Sequence, residues 1–341
     1  MKHLNNLYAT TEERYNAQFK GIVKQLVVML PGAGCTWARK SGGCYMCGFS
    51  RATYKYTRGR LWPALVFKSM IKLALKQRQK AKILAIYNGG SFLNPEEIPE
   101  SIPIWLSDRV ASTEGIEQLF VESRPEFVNA SLINSMMICL GAKTLKIGIG
   151  LECVTDIVRN KCVHKGFTVD NYRLAVDIAR SNGALTLTYV FLKPPFLTEG
   201  EAIEEAVRTV EYAFQSGSNE VALEAAFVQP ETFLHQLYEK GGFRPPWLWS
   251  IIEVIRRTAH LGPVYLGGFT DEPKPIAIPF NCPVCSEKIY ETMQIYRETL
   301  DPTIFNCLSC DCLPEWQSVK FLMDRIPILD RVKRSGLYIT N

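Results

Sequence analysis

The chain has 341 residues, of which 47% are hydrophobic and 21% charged, and its formal net charge is +5. It is long enough for one large α/β domain with a small appendage, and it has neither a membrane-length apolar run nor a signal-peptide core within residues 1–20. Its eleven cysteines therefore predict metal or cluster chemistry in the reducing cytoplasm rather than disulfides. The mild positive charge permits a nucleic-acid partner without requiring one.

Helices and strands are predicted to alternate along most of the chain, after an N-terminal helical extension over residues 1–24. Strands are predicted at 25–30, 83–87, 118–121, 144–151, 185–192 and 220–228. The intervening helices are predicted at 65–79, 95–109, 126–140, 169–181, 200–215 and 247–260. Six such units indicate an α/β fold with a parallel sheet, and they fall short of the eight of a closed barrel. We therefore predict a partial (β/α)6 TIM-like barrel over residues 25–270, followed by a small cysteine-rich element over residues 271–341.

Three cysteines follow the first predicted strand of this barrel within thirteen residues. Cys44 and Cys47 form a close pair, and Cys35 lies upstream of them. Three thiolates without a fourth suit an iron–sulfur cluster that leaves one iron open for a substrate or cofactor, because a closed structural site needs four protein ligands. A zinc site completed from elsewhere and metal-free buried thiols remain alternatives.

Polar or glycine residues also follow several of the other predicted strands. Because the loops after parallel strands open at one end of a barrel, these residues are expected to converge there with the cysteines. They are Asn88, Gly89, Gly90 and Ser91 after the second strand, Glu122 at the end of the third, and Glu152 after the fourth.

A second group of cysteines lies near the C-terminus. Two pairs with two-residue spacing, separated by 21 residues, are typical of a zinc ribbon. The predicted zinc ligands are Cys282, Cys285, Cys307 and Cys310, with Cys312 as the surplus thiol or an alternate for Cys310. A second iron–sulfur cluster is the competing interpretation.

Aromatic and basic residues alternate between Arg51 and Arg60. Such mixing suits RNA, whose bases stack on rings while basic groups meet phosphate. Ordinary solvated side chains explain the same pattern equally well, so both interpretations stay open.

Taken together, these motifs resemble the radical-SAM superfamily and, within it, the family of the radical-SAM subunit of archaeosine synthase (RaSEA). The resemblance covers roughly residues 20–315. The first cysteine interval has eight residues where the superfamily usually has three, as in relatives of the elongator-type group. The segments that carry the resemblance are Ser41–Gly48, Gly150–Glu152, Val158–Arg159, Lys165–Gly166, Glu122–Glu126, Pro245–Ser250 and the terminal cysteines.

The resemblance implies cofactors and residues that hold them. Cys35, Cys44 and Cys47 would bind a [4Fe-4S] cluster whose open iron takes S-adenosylmethionine (SAM). The Asn88–Ser91 turn, Glu122 and Glu152 would contact SAM, and Lys165 would pair with its carboxylate. The structural alternatives are an ordinary strand-to-helix turn at 88–90, a surface ion pair between Glu152 and Lys165, and a local salt bridge between Glu122 and Arg124.

The resemblance also implies a lyase. A partner, ArcS, attaches lysine to the nitrile of 7-cyano-7-deazaguanine in the D-loop of archaeal tRNA. This subunit then generates a 5′-deoxyadenosyl radical and breaks the lysine carbon–nitrogen bond, leaving archaeosine. The alternatives are an elongator-like or methylthio-type radical-SAM enzyme that modifies RNA, and a non-enzymatic zinc-binding RNA adaptor. The electron donor and the oligomeric state do not follow from the sequence.

Overall fold

A computed structural model describes residues 8–336 of the chain, except residues 78, 270–272 and 323. The chain divides into two compact units. The first comprises residues 1–40, 49–150 and 170–187, and the second comprises residues 41–48, 151–169 and 188–341. The predicted boundary at residue 270 therefore falls inside the second unit. No helix in the described part of the chain is long and apolar enough to cross a membrane.

The strands form a single mixed sheet. They are β1 (Ala9–Asn16), β2 (Gly21–Met29), β3 (Ile83–Tyr87), β4 (Gln118–Ser123), β5 (Thr144–Glu152), β6 (Leu185–Leu192), β7 (Glu220–Ala225) and β8 (Val264–Leu266). Their order in the sheet is their order in the chain. β2, β3, β4 and β5 pair in parallel, as do β7 and β8. Almost every residue of β3 is buried, as expected for a parallel sheet covered on both faces.

Helices connect the strands and continue beyond the last one. They are α1 (Thr36–Ser41), α2 (Phe49–Thr57), α3 (Ala64–Leu75), α4 (Ser101–Ala111), α5 (Ala130–Leu140), α6 (Val169–Ser181), α7 (Glu199–Gln215), α8 (Phe233–Glu239), α9 (Leu248–Thr258), α10 (Ser286–Thr299), α11 (Leu313–Phe321) and α12 (Ile328–Arg334). α6 and α7 show why these segments are helical. Apolar residues of α6 recur at helical spacing and are buried. α7 begins with a capping box between Thr198 and Glu201.

The six predicted alternations of strand and helix are confirmed, several of them with the same bounds. The helices predicted to begin at residues 95 and 126 begin at Ser101 and Ala130, and the helices α1, α2 and α8 were not predicted. The strands differ at the two ends of the sheet. β8 has only three residues, too few to give an alternation pattern, and it was absent from the prediction.

The predicted helical extension over residues 1–24 is wrong for its described part. Residues 9–16 form β1, which pairs antiparallel with β2 from Ala9↔Val28 to Asn16↔Gly21. The Asn16 side chain closes the hairpin by accepting hydrogen bonds from the N–H groups of Gln18 and Phe19. β1 is a sheet edge whose centre, Glu12 to Arg14, is exposed and charged, which is common in edge strands and resembles a polar helix in sequence. Residues 1–7 lie outside the described residues.

Within the second unit, the C-terminal region packs against the end of the sheet. Tyr296 of α10 donates a hydrogen bond to the carbonyl of Val264 at 2.7 Å. Arg297 donates to the carbonyls of Leu266 and Gly267 at 3.2 and 2.6 Å. This region therefore covers β8 and belongs to the same compact unit.

Candidate metal and cofactor site

In the first unit, the turn after β3 is held by the carboxylate of Glu97. This side chain is fully buried, and Oε2 accepts a hydrogen bond from the backbone N–H of Ser91 at 2.5 Å. Oε1 accepts from the backbone N–H of Thr36 at 2.8 Å. One carboxylate therefore ties the glycine turn to the residue that follows Cys35. The sequence analysis missed Glu97, because it lies six residues beyond the turn.

Gly89 and Gly90 bring the backbone close to its neighbours. Gly89 has a φ of +65°, which disfavours other residues. A Cβ at Gly89 would collide with the hydroxyl of Thr53. A Cβ at Gly90 would overlap Oε2 of Glu97 and lie 3.1 Å from Cα of Cys35. No side chain fits at either position without rearrangement, so the turn is more constrained than an ordinary strand-to-helix connection.

The polar side chains around this turn differ in whether the protein satisfies them. Asn88 is 1% exposed, and neither its Oδ1 nor its Nδ2 has a hydrogen-bond partner among the described residues. Ser91 is fully buried, and its Oγ accepts from the backbone N–H of Arg124 at 3.1 Å. The half-buried Glu122 uses its carbonyl to accept from the N–H of Phe92 at 2.8 Å. A buried unpaired amide is costly, so Asn88 is the group here that is suited to a ligand.

Cys35 is partly exposed and stands directly before α1. Nearby in the same unit, the guanidinium of Arg124 lies over the ring of Trp37, 5.1 Å from its centroid. Arg124 also donates to the carboxylate of Glu126 at 2.5 Å. Helix α1 therefore has both a hydrogen-bonded start and a stacked side chain that fix its position.

In the second unit, the loop over residues 43–48, here called the cysteine loop, carries Cys44 and Cys47. The N–H of Tyr45 donates to the carbonyl of Val163 at 3.0 Å. The ring of Tyr45 stacks on Phe233 at 4.1 Å and on His164 at 5.0 Å between centroids. These contacts fix the loop, while both thiols remain partly exposed.

Gln229 holds the far end of the cysteine loop. It is 1% exposed, and its Oε1 accepts a hydrogen bond from the N–H of Gly48 at 2.8 Å. Its Nε2 is buried and has no hydrogen-bond partner among the described residues. Gln229 is thus a positioning residue for the segment that follows Cys47, with one donor left for a ligand. It lies just beyond the sixth predicted strand, the place where polar residues were singled out after the other strands, and the sequence analysis missed it.

Glu152 and Lys165 form a buried ion pair. Nζ of Lys165 lies 2.6 Å from Oε1 of Glu152, and the side chains are 11% and 8% exposed respectively. The alternative of a surface ion pair is therefore wrong. Arg159 shapes the loop between them, because its fully buried guanidinium donates to the carbonyls of Cys153 and Phe167. The assignment of both charged residues to SAM remains a prediction.

Removing Lys165 is expected to destabilise the protein strongly. Lys165→Met leaves the Glu152 carboxylate buried without its cation, which should cost about 3–5 kcal/mol of unfolding free energy in urea titrations. The matched control is Arg173→Met, which breaks an exposed pair with Asp170 and should cost less than about 1 kcal/mol. Equal changes in the two variants would contradict a structural role for the buried pair.

Two other thiols lie near this ion pair and are poorly suited to bind metal. Cys153 and Cys162 are fully buried. Burial raises the pKa of Cys162 to about 12 and the pKa of Cys153 well above its usual value. Neither thiol belongs to the group of described cysteines that lie close enough together to share a metal ion, so we assign both a structural role.

Four C-terminal thiols are gathered within the second unit. The sulfur atoms of Cys282, Cys285, Cys310 and Cys312 all lie within 4.8 Å of one another, and the closest pairs are 3.5–3.7 Å apart. Four sulfurs placed 2.3 Å from one ion at tetrahedral angles are about 3.8 Å apart, so this spacing fits a single zinc ion. In a four-iron cluster each thiolate binds a different iron, which requires wider spacing.

Hydrogen bonds reach three of these thiols, and one of the three has a lowered pKa, whereas burial raises the pKa of Cys285 and Cys312. Nε1 of Trp249 donates to Sγ of Cys312 at 3.4 Å, and Nδ2 of Asn281 lies 3.7 Å from Sγ of Cys285. Burial opposes ionisation of Cys282, but hydrogen bonds, chiefly from Cys285, outweigh it and lower its pKa to about 7. Donors of this kind orient and tune metal ligands.

The predicted zinc ligand set needs one correction. Cys312 belongs to the gathered thiols, whereas Cys307 is exposed and its Sγ contacts the carbonyl of Ile304 at 3.4 Å. The reason is local geometry. Cys307 ends the short 3-10 helix Pro302–Cys307, and the chain then turns so that Cys310 and Cys312 approach the first pair. A pair with one intervening residue thus replaces the expected pair with two.

The residues of each unit fit the predicted cofactors. Three partly exposed thiols can bind a cluster and leave one iron open. The buried amides of Asn88 and Gln229 each leave polar atoms for a ligand. The assignment of Cys35, Cys44 and Cys47 to one cluster stays a prediction.

Known proteins resemble this chain in both fold and sequence. No family model matches the chain. Methylornithine synthase (PylB) has a similar fold, with a TM-score of 0.51, 13% identity, and coverage of 86% of this chain and 85% of that one. Elp3 of the archaeon Methanocaldococcus infernus, with an N-terminal deletion, gives a TM-score of 0.50 and 17% identity over 69% of this chain and 61% of its own. The α/β architecture predicted from the sequence is therefore confirmed, and these two proteins share it.

A sequence relative shows the family to which the chain belongs. Archaeosine synthase subunit beta of Methanosarcina acetivorans is 30% identical over 319 residues, covering 90% of this chain and 89% of the relative. The chain belongs to the archaeosine synthase subunit beta family. The family resemblance drawn from the cysteine and strand-end motifs is therefore confirmed.

Proposed function

We propose that this chain is the radical-SAM lyase subunit of an archaeosine synthase. Its substrate would be the lysine adduct of 7-cyano-7-deazaguanine in the D-loop of tRNA, made by the partner ArcS. Cleavage of the lysine carbon–nitrogen bond would leave the amidine of archaeosine. The observation that carries this proposal is the match to archaeosine synthase subunit beta over nearly the full length of both chains.

Different residues would bind the cluster and SAM. Cys35, Cys44 and Cys47 would hold the [4Fe-4S] cluster, which together with SAM supplies a 5′-deoxyadenosyl radical for hydrogen abstraction. The Gly89–Gly90 turn would lie beside the methionine portion of SAM, and the free amide of Asn88 offers hydrogen bonds. Ser91 and Glu97 hold the turn in place. Glu122 and the Glu152–Lys165 pair would provide further polar contacts to SAM.

The test is an anaerobic reconstitution with iron and sulfide, followed by dithionite and SAM. We expect a brown protein that forms 5′-deoxyadenosine and methionine, and that converts lysine-adducted tRNA to archaeosine in nucleoside mass spectrometry. SAM cleavage without archaeosine, but with another modified nucleoside, would favour a different RNA modification. A colourless protein that binds only zinc would overturn the enzyme and support the RNA adaptor.

We also propose that the C-terminal thiols bind one structural zinc ion. Cys312→Ala is expected to lose about one equivalent of zinc and to lower the unfolding temperature, because a closed four-cysteine site needs all four thiolates. Cys307→Ala is the matched control and should keep both. Metal analysis and thermal unfolding of the two variants give the answer. Loss of zinc in Cys307→Ala but not in Cys312→Ala would restore the ligand set predicted from spacing. Iron and inorganic sulfide bound at these thiols would show a second cluster in place of zinc.

A further inference from the structure

The charge of the chain is distributed very unevenly. Between Arg14 and Pro95 there are fifteen Lys or Arg residues and no Asp or Glu, although the whole chain has a net charge of only +5. The remainder of the chain is therefore net acidic. The charged residues of this segment that the structure describes all lie in the first unit. A basic region of this kind is the electrostatic footprint expected for a polyanion.

Helix α2 presents part of this charge to solvent. Ser50 and Thr57 are buried on one side of the helix. Arg51 and Lys55, four residues apart, lie on another side of the helix, and Arg58 directly follows its last residue; all three are exposed. Exposed basic residues therefore extend along the helix and just beyond its end.

Several of these cations have no acidic partner. Among the described residues, no carboxylate lies within 4 Å of the guanidinium of Arg51, Arg58 or Arg60, whereas Lys40 pairs with Glu96 at 3.1 Å. Internal ion pairs therefore do not explain these three arginines. Arg58 also adopts a φ of +50° after the helix, where glycine is the favoured residue, so its side chain is kept at some conformational cost.

Exposed aromatic rings accompany the arginines. The side chain of Tyr56 is 84% exposed, and Trp62 is 37% exposed just beyond Arg60. Exposed rings and unpaired guanidinium groups in one segment are the combination that binds unpaired bases and phosphates in RNA.

We infer that Arg51, Tyr56, Arg58, Arg60 and Trp62 form a tRNA-docking surface, here called the basic aromatic surface. The arginines bind backbone phosphates, and Tyr56 stacks on an unpaired base of the kind that tRNA loops expose. This inference rests on the proposed function for the identity of the RNA. It adds the surface on the subunit itself that engages the substrate, in the half of the chain that also carries Cys35 and the glycine turn.

The test is the salt dependence of tRNA binding by the full-length holoprotein. The triple variant R51Q/R58Q/R60Q should bind unmodified tRNA roughly 100- to 500-fold more weakly at 0.1 M salt, and the slope of log K against log[salt] should fall by about 2 to 3. Tyr56→Ala should weaken binding about 5- to 150-fold with the slope unchanged, and Tyr56→Phe should bind like wild type. Arg58→Gly, which suits the backbone, should lose affinity without loss of folding.

The matched control is R109Q/R173Q/R180Q, which removes three exposed charges elsewhere in the first unit. Its salt slope should stay close to that of wild type. Equal losses in both triple variants would overturn the surface, as would a wild-type Kd weaker than about 100 µM at 0.1 M salt. Loss of partner-subunit binding with tRNA binding intact would reassign the surface to a protein contact and so overturn it too.

RNA-independent SAM cleavage separates this inference from the proposed function. Each surface variant should still form 5′-deoxyadenosine in the presence of dithionite at the wild-type rate. A wild type that binds tRNA through this surface but never cleaves SAM would refute the enzyme and leave the surface standing. If the wild type cleaves SAM and every surface variant binds tRNA with the wild-type affinity, the surface is refuted and the enzyme stands.

Discussion

A Cys44→Ala variant is expected to lose its iron–sulfur chromophore and to form 5′-deoxyadenosine only at the level of a no-enzyme control. The reason is the number of ligands. The proposed cluster has three cysteine ligands, one for each of three irons. Losing one of them leaves two of the four irons without a protein ligand. Iron and sulfide content, visible absorption and EPR spectra after anaerobic reconstitution provide the measurement.

The effect should be confined to the cluster. The cysteine loop is anchored by Tyr45 and Gln229, which the substitution leaves in place, so the apoprotein should keep the unfolding temperature of wild type. Cys307→Ala serves as the thiol control, since Cys307 is exposed and outside the C-terminal group. A Cys44→Ala protein that keeps its full iron content and SAM cleavage would remove Cys44 from the ligand set. A variant that loses zinc as well would mean that the two cysteine groups are not independent.

The parts of the fold that sequence predicts best are those where one physical rule decides. β3 and α6 have the predicted bounds, because a short buried apolar run and a clear helical periodicity leave few alternatives. β1 failed because its charged, exposed sequence satisfies a helix as well as a sheet edge, and only pairing with β2 decides between them.

The candidate site shows the same division. Spacing alone pointed to the thiols and to the glycine turn, since these depend on local sequence. Glu97 and Gln229 depend on side chains that reach back to the backbone N–H groups of Ser91 and Gly48, across six and 181 residues respectively. The choice of Cys312 over Cys307 likewise depends on how the chain turns after a 3-10 helix, which the motif spacing did not encode.

Gly90→Ala is the second change for which we expect a large effect, because it tests whether the glycine turn and Glu97 form one structure. The added Cβ would overlap Oε2 of Glu97 and press on Cα of Cys35. To relieve this overlap, the Glu97 carboxylate must move away from the backbone N–H groups of Ser91 and Thr36, whose hydrogen bonds it accepts. Overpacking together with lost charge-assisted hydrogen bonds should cost about 3 kcal/mol or more in unfolding free energy.

SAM binding should fail together with stability, since the same turn is proposed to hold the methionine portion of SAM. Gly268→Ala is the matched control, because a Cβ there meets nothing within 4 Å and should change the unfolding free energy by less than about 0.5 kcal/mol. Equilibrium dialysis with SAM and urea unfolding of both variants measure the two effects. If Gly90→Ala proves as stable as Gly268→Ala yet no longer binds SAM, the turn serves the cofactor alone. If it binds SAM normally despite its instability, the turn is structural, and the methionine site must be sought elsewhere in the chain.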